Sequence, residues 1–90
     1  MGDLRVRVDR ALEEFVEAER TAREAVAIVE PTDWHQQRGD AYGALGEVLE
    51  LAGRGEEARA AYEEALASFE RKQALPEMEH VRSHLASLGR

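Results

Sequence analysis

Residues 41–69 read AYGALGEVLELAGRGEEARAAYEEALASF, and their apolar residues recur at intervals of three and four. This spacing gathers apolar side chains on one face of a helix, once before and once after Gly53-Arg54-Gly55. Both faces have to be buried, so the two helices are expected to fold back on each other as an antiparallel hairpin. The apolar positions are Ala41, Tyr42, Leu45, Val48, Leu49 and Ala52 before the turn, and Ala58, Tyr62, Ala65, Leu66 and Phe69 after it.

The hairpin carries a motif of aromatic, small and leucine residues. It reads Tyr42-x-x-Leu45-Gly46-x-x-Leu49, then Gly53, then Ala58-x-x-x-Tyr62-x-x-Ala65. The motif resembles the tetratricopeptide repeat (TPR), whose helical hairpins stack into a right-handed solenoid. The resemblance implies that the motif residues pack the two helices together. Where the family usually has a proline near the end of the second helix, this chain has Glu70, so that helix is expected to continue to Lys72 or Gln73.

Internal repetition supports stacked hairpins. A shift of about 40 residues lays the apolar positions of residues 18–29 on those of residues 58–69, which is the behaviour of a helical repeat. The same shift lays Ala41, Leu45 and Gly46 on Val81, Leu85 and Ala86. The order Asp33-Trp34, Leu45-Gly46 and Gly53-Arg54 further resembles the carboxy-terminal helical-repeat tails of bacterial multidomain signalling ATPases and cyclases. That resemblance implies a scaffold or regulatory tail.

The whole chain is predicted to be one all-α domain of four helices. We expect them at residues 3–30, 33–52, 55–73 and 76–88, the last covering the open end of the solenoid. Pro31-Thr32-Asp33 separates the first two helices, with Asp33 predicted as an N-cap and Gln36 as its capping-box partner. Gly39, Gly43 and Gly46 are unusual inside a helix, and they indicate either helix packing or a groove floor that admits a partner.

The first half of helix 1 has no intrachain partner in this arrangement. Its apolar stripe is Leu4, Val8, Leu12 and Phe15. We therefore predict that the stripe is a self-association surface, which makes a homodimeric helical bundle the structural alternative to a partner-binding module. A second possibility is that residues 4–8 form a strand, because apolar and charged residues alternate there. Such a strand needs the sheet edge of another chain.

Composition excludes several classes of function. The chain has 19 acidic and 12 basic residues and a net charge of −7, which disfavours nucleic acid and anionic lipid. It has no cysteine, so a disulfide framework and a thiolate metal site are excluded. No apolar run is long enough for a membrane span or a signal-peptide core. We expect a cytoplasmic protein that binds neither nucleic acid nor membrane.

The residues that could carry chemistry do not form a recognisable active site. His80 and His84 lie one helical turn apart, the spacing that metal-binding helices use, but the sequence names no third ligand. Since both lie off the apolar stripe of the fourth helix, which is Met78, Val81, Leu85 and Leu88, we interpret them as exposed surface residues. Neighbouring glutamates such as Glu63-Glu64 point apart on a helix and cannot act on one substrate. We predict no enzymatic activity, no metal and no cofactor.

The TPR resemblance implies a binding face on the first helix of the hairpin. Carried onto this sequence, the groove-facing positions are Asp40, Gly43, Glu47, Glu50 and Leu51. TPRs that clamp a terminal carboxylate use Lys, Arg and Asn at such positions, and this chain departs from them. An acidic groove is expected to prefer a basic or amphipathic protein segment. The alternative is that these acids form only a solvated helix face.

Overall fold

The computed structural model describes the backbone of residues 3–89, and the side chains of residue 7 and of residues 9–89. Within that range the chain is all-α, with four helices in sequence order. They are α1 (Asp3–Val29), α2 (His35–Leu51), α3 (Gly55–Lys72) and α4 (Leu75–Leu88). Residues 4–8 are helical, so the strand alternative is wrong.

The α2–α3 corner is closed by backbone geometry that glycine favours. Gly53 has φ +77°, in the left-handed region. The Arg54 amide donates to the Leu49 carbonyl at 2.9 Å, and the Gly53 amide donates to Glu50 at 3.0 Å. This is the Schellman arrangement, which satisfies carbonyls left free at a helix end. The left-handed backbone of Gly53 and these two hydrogen bonds therefore form the predicted hairpin turn.

The α3–α4 corner repeats that geometry without a glycine. Gln73 has φ +57°, and it is exposed. The Ala74 amide donates to the Phe69 carbonyl at 3.0 Å, and the Gln73 amide donates to Glu70 at 3.1 Å. The helix thus ends at Lys72, and Pro76 lies in the first turn of α4.

The α1–α2 corner differs from the predicted capping box. Helix α2 begins at His35 with Trp34 in the N-cap position, and no side chain caps it. The predicted N-cap at Asp33 is therefore wrong. Instead, the Thr32 hydroxyl donates to the Val29 carbonyl at 2.6 Å and accepts from the Trp34 amide at 3.2 Å. Thr32 thus satisfies a carbonyl at the end of α1 and the Trp34 amide, while no side chain caps the first amides of α2.

Consecutive helices pack on one another, α1 on α2, α2 on α3 and α3 on α4. Burial is concentrated in α2 and α3, while α1 contributes only Ala22 to the buried set of described residues. Tyr62 and Leu49 are the largest fully buried side chains. The buried core consists of Ala22, Leu45, Leu49, Ala58, Ala61, Tyr62, Ala65, Phe69, Met78 and Val81.

Two glycines of α2 make room for aromatic rings of α3. A Cβ placed on Gly39 would lie 2.4 Å from Cε1 of Phe69, and one on Gly46 would lie 2.7 Å from Cε1 of Tyr62. Both distances are far below van der Waals contact, so these positions serve helix packing. Gly43 is different, because a Cβ there meets nothing within 4 Å.

The motif residues lie at the α2–α3 contact. Leu45, Gly46 and Leu49 of α2 are buried, as are Ala58, Tyr62 and Ala65 of α3. Tyr42 is half-buried, and its hydroxyl donates to the Glu30 carboxylate. Burial and that hydrogen bond raise the pKa of Tyr42 to about 12.

A group of charges connects α1 to the α2–α3 corner. Arg54 Nη1 lies 2.5 Å from Glu19 Oε1, and Arg23 Nε lies 2.7 Å from Glu19 Oε2. Hydrogen bonds from Arg23 and Arg54 lower the pKa of Glu19. Glu57 accepts from both arginines. Exposed ion pairs stabilise weakly, so this group contributes little to the stability of the fold.

Candidate functional site

A groove of about 340 Å³ runs between α2 and α4, and α3 forms its floor. It exists because α2 and α4 both pack on α3, and side-chain hydrogen bonds from Gln36 to Glu77 and between His84 and Glu50 join α2 to α4. The floor is aromatic, since the glycines of α2 let the α3 rings approach the helix backbone. The lining residues are Gly39, Asp40, Gly43, Ala44 and Glu47 of α2, Tyr62 and Phe69 of α3, and Pro76, Glu77, His80 and Val81 of α4.

Some of the predicted groove residues line the groove and others do not. Asp40, Gly43 and Glu47 line the groove. Leu51 does not line the groove and is 74% exposed. Successive residues of an α-helix are about 100° apart, so Leu51 faces away from the groove. Glu50 lies beyond the lining residues, where its carboxylate is held by two other side chains.

Glu50, Tyr62 and His84 form a compact cluster at the end of the groove. The Tyr62 hydroxyl donates to Glu50 Oε1 at 2.7 Å, and His84 Nδ1 lies 2.8 Å from the same oxygen. The His84 ring stacks on the Tyr62 ring, with centroids 4.8 Å apart and an interplanar angle of 22°. The cluster joins one residue from each of α2, α3 and α4.

The pKa shifts in this cluster follow from its hydrogen bonds. The hydroxyl of Tyr62 lowers the pKa of the Glu50 carboxyl, and the His84 ring adds to this effect. Burial raises the pKa of Tyr62, and the Glu50 carboxylate raises it further. Glu50 is therefore ionised at neutral pH and Tyr62 keeps its proton. Since a carboxylate can only accept, Tyr62 is the donor of the hydrogen bond between them.

His84 does not match its sequence interpretation. Its side chain is only 27% exposed, whereas that of His80 is 65% exposed. The interpretation of His84 as an exposed surface residue is therefore wrong. It failed because the partner carboxylate, Glu50, is distant in sequence and sits on another helix.

The groove has an acidic rim above an apolar floor. Asp40 and Glu47 lie on the α2 side, and Glu77 lies on the α4 side. The Gln36 amide donates to Asp40 and to Glu77, at 3.3 Å each, and so connects the two sides. Among the described side chains that line the groove, none is lysine or arginine. Glu77 was not among the predicted groove residues, because the last helix was expected only to cover the open end of the solenoid.

The predicted self-association stripe lies on the first half of α1. Leu12 is 58% exposed, and the neighbouring Val16 is 64% exposed. Phe15 is half-buried. The side chains of Leu4 and Val8 lie outside the described set, so the prediction for them is not addressed.

Comparison with known proteins gives one family. The family model of the tetratricopeptide repeat matches residues 4–71. Neither the curated proteins nor the solved structures include a significant match. Within the described part of the chain, no helix combines the length and the apolar character needed to cross a membrane. The family match extends over α1, α2 and most of α3, and its helical-hairpin architecture is the one observed. The chain therefore belongs to the tetratricopeptide repeat family.

Proposed function

We propose that this chain is a non-catalytic interaction module that binds a basic or amphipathic segment of a partner protein in the α2–α4 groove. TPR domains generally mediate protein–protein interaction and are typically non-catalytic. The observation that supports the choice of partner is the carboxylate rim of Asp40, Glu47 and Glu77 around an apolar floor. Complementary charge favours a basic segment over an acidic one.

The shape of the groove suits the apolar side chains of a bound amphipathic segment. Phe69 of the floor and Val81 of α4 provide apolar lining, and Gly43 leaves the α2 side free of a side chain. Amphipathic segments bind such grooves by inserting apolar residues while charged residues contact the rim. Basic residues of the segment would then face the rim carboxylates.

The wider context is also part of the proposal. The module acts as a scaffold or regulatory tail, of the kind that the bacterial signalling ATPases and cyclases carry at their carboxyl ends. The absence of cysteine from the sequence suits a reducing cytoplasm.

The groove can be tested with designed peptides and a triple variant. We expect a labelled amphipathic Lys/Leu helix to bind, and a Glu/Leu peptide of the same length not to bind. The variant Asp40→Asn/Glu47→Gln/Glu77→Gln should bind the basic peptide roughly tenfold more weakly, because exposed ion pairs contribute about 0.2–1 kcal/mol each. Fluorescence anisotropy at two salt concentrations measures the affinity, which should fall as salt rises.

A charge-matched control separates the groove from the overall charge. The variant Glu13→Gln/Glu14→Gln/Glu70→Gln removes the same charge from exposed positions outside the groove. It should bind the basic peptide nearly as well as the parent. In an NMR titration, the amide signals of Gly39 and Gly43 should shift while those of Gly53 and Gly89 stay fixed. Equal weakening in the two triple variants would remove the groove from the proposal.

A second candidate function is structural, with two copies pairing through α1. The observation that favours it is the exposure of Leu12 and Val16, which line a shallow surface together with Glu13 and Glu17. Pairing about a two-fold axis would bury both apolar side chains from each copy.

Light scattering across a concentration series tests this pairing. We expect twice the chain mass for the parent, and the single-chain mass for Leu12→Glu, because burying the new charge opposes association. Ile28→Glu is the matched control, since Ile28 is 69% exposed at the other end of α1. It should behave as the parent does. A parent that stays at the single-chain mass at every concentration would contradict the dimer.

A further inference from the structure

Three potential metal ligands from two helices meet at the edge of the groove. They are Glu47 of α2 and His80 and His84 of α4, and one ligand atom from each lies within 4.8 Å of the other two. Glu47 Oε1 is 3.6 Å from His80 Nε2. The sequence indicated only the two histidines as possible ligands. In the fold, Glu47 of α2 lies beside them as the third.

The second ring nitrogen of His84, Nε2, is available to bind a metal ion. The Glu50 carboxylate accepts at 2.8 Å from His84 Nδ1, so Nδ1 carries the proton and Nε2 keeps its lone pair in the neutral ring. Metal-binding histidines usually donate their second ring N–H to a carboxylate in this way, which fixes the tautomer and the ring orientation. Stacking on Tyr62 holds the ring further.

The distances allow the three ligands to converge. Tetrahedral zinc with ligands at about 2.0–2.2 Å needs ligand atoms roughly 3.3–3.6 Å apart. Glu47 and His80 are already near that separation. Their side chains are 53% and 65% exposed, so small rotations can bring them toward the better-held His84. The side chains of Glu50 and His84, each 27% exposed, would form the fixed part of the site.

The electrostatic setting favours a cation. Asp40 and Glu77 lie in the same groove, and no described lining residue is a lysine or an arginine. Two imidazoles and one carboxylate suit zinc and similar divalent transition metals better than magnesium or calcium, which prefer oxygen ligands alone.

We propose that Glu47, His80 and His84 bind a divalent transition-metal ion such as Zn²⁺. Glu50 acts as the positioning residue that orients His84, and a water molecule takes the fourth, open position. Glu47 also belongs to the carboxylate rim, but this proposal does not require peptide binding, because its test uses zinc and no peptide.

Calorimetric titration of the chelator-treated protein with zinc chloride tests the proposal. We expect one zinc ion per chain and a higher melting temperature in excess zinc. His80→Ala and Glu47→Gln should each weaken zinc binding at least about tenfold, and Glu50→Gln should weaken it by about 10- to 100-fold. Cobalt(II) should give the visible absorption bands of a tetrahedral site in the parent and lose them in His80→Ala.

The third histidine of the chain provides the matched control. His35 is not part of the cluster, so His35→Ala should bind zinc with the affinity of the parent. Since His80 and Glu47 are exposed, their variants are expected to keep the helical circular dichroism of the parent without zinc. Failure of the parent to bind zinc would overturn the proposal. So would binding that His80→Ala leaves intact, or an equal loss in His35→Ala.

Discussion

Replacing Tyr62 by alanine is expected to lower the free energy of unfolding by about 3–5 kcal/mol, the range for truncating a large aromatic side chain in a core. Tyr62 is 1% exposed, and its ring lies against Gly46 and the His84 ring. A domain of this size has a total stability of roughly 5–13 kcal/mol. The variant should therefore lose a large part of its stability, as urea unfolding followed by circular dichroism would measure.

Tyr62→Phe separates the ring from the hydroxyl. The ring remains in place, and the variant loses the hydrogen bond of the hydroxyl to Glu50 and its 3.1 Å contact with His84 Nδ1. A loss of about 0.5–1.5 kcal/mol is expected for one hydrogen bond. If Tyr62→Ala unfolded within about 1 kcal/mol of Tyr62→Phe, the ring would not be the core element described above.

Gly46→Ala and Gly43→Ala make the same change on the same helix, and we expect opposite effects. Gly43→Ala should raise the free energy of unfolding by about 0.5–1 kcal/mol, because alanine is the better helix former and its Cβ meets nothing within 4 Å. Gly46→Ala brings the same gain in propensity but places a Cβ 2.7 Å from the Tyr62 ring. Overpacking of this kind costs about 1–3 kcal/mol.

The difference between the two variants isolates the steric term, because the helix propensity cancels. Gly46→Ala should be less stable than Gly43→Ala by about 1–3 kcal/mol, measured by urea unfolding under identical conditions. Equal stabilities would mean that the Tyr62 ring moves aside at little cost. In that case Gly46 would not be needed for the approach of α2 and α3.

The fold could be predicted from helical periodicity, since the elements that bury the core are local. Each of α2 and α3 buries one face, and the turn between them contains Gly53, whose left-handed φ glycine favours. The corners were harder to predict, because several backbone arrangements can satisfy a helix end. Thr32 binds the end of α1 while Asp33 caps nothing, and Gln73 adopts a left-handed conformation that glycine would have indicated.

The site was predictable only in part. The TPR resemblance implied Asp40, Gly43 and Glu47 as groove positions, but it could not show which carboxylate α4 would engage, because Glu50 meets His84 only after the helices stack. A signal for α4 did exist. The shift of about 40 residues that reveals the repeat also lays Asp40 on His80, so His80 could have been predicted at the groove.

The backbone conformation at the corner after α3 makes this domain less stable than it could be. Gln73 keeps a left-handed backbone that disfavours residues with a Cβ by about 1–2 kcal/mol. The residue is exposed and does not line the groove. Natural proteins often retain such suboptimal positions, because selection acts only against falling below a threshold. A residue that favours the left-handed conformation at position 73 should therefore stabilise the domain without altering the groove. The added stability would allow destabilising substitutions in the groove.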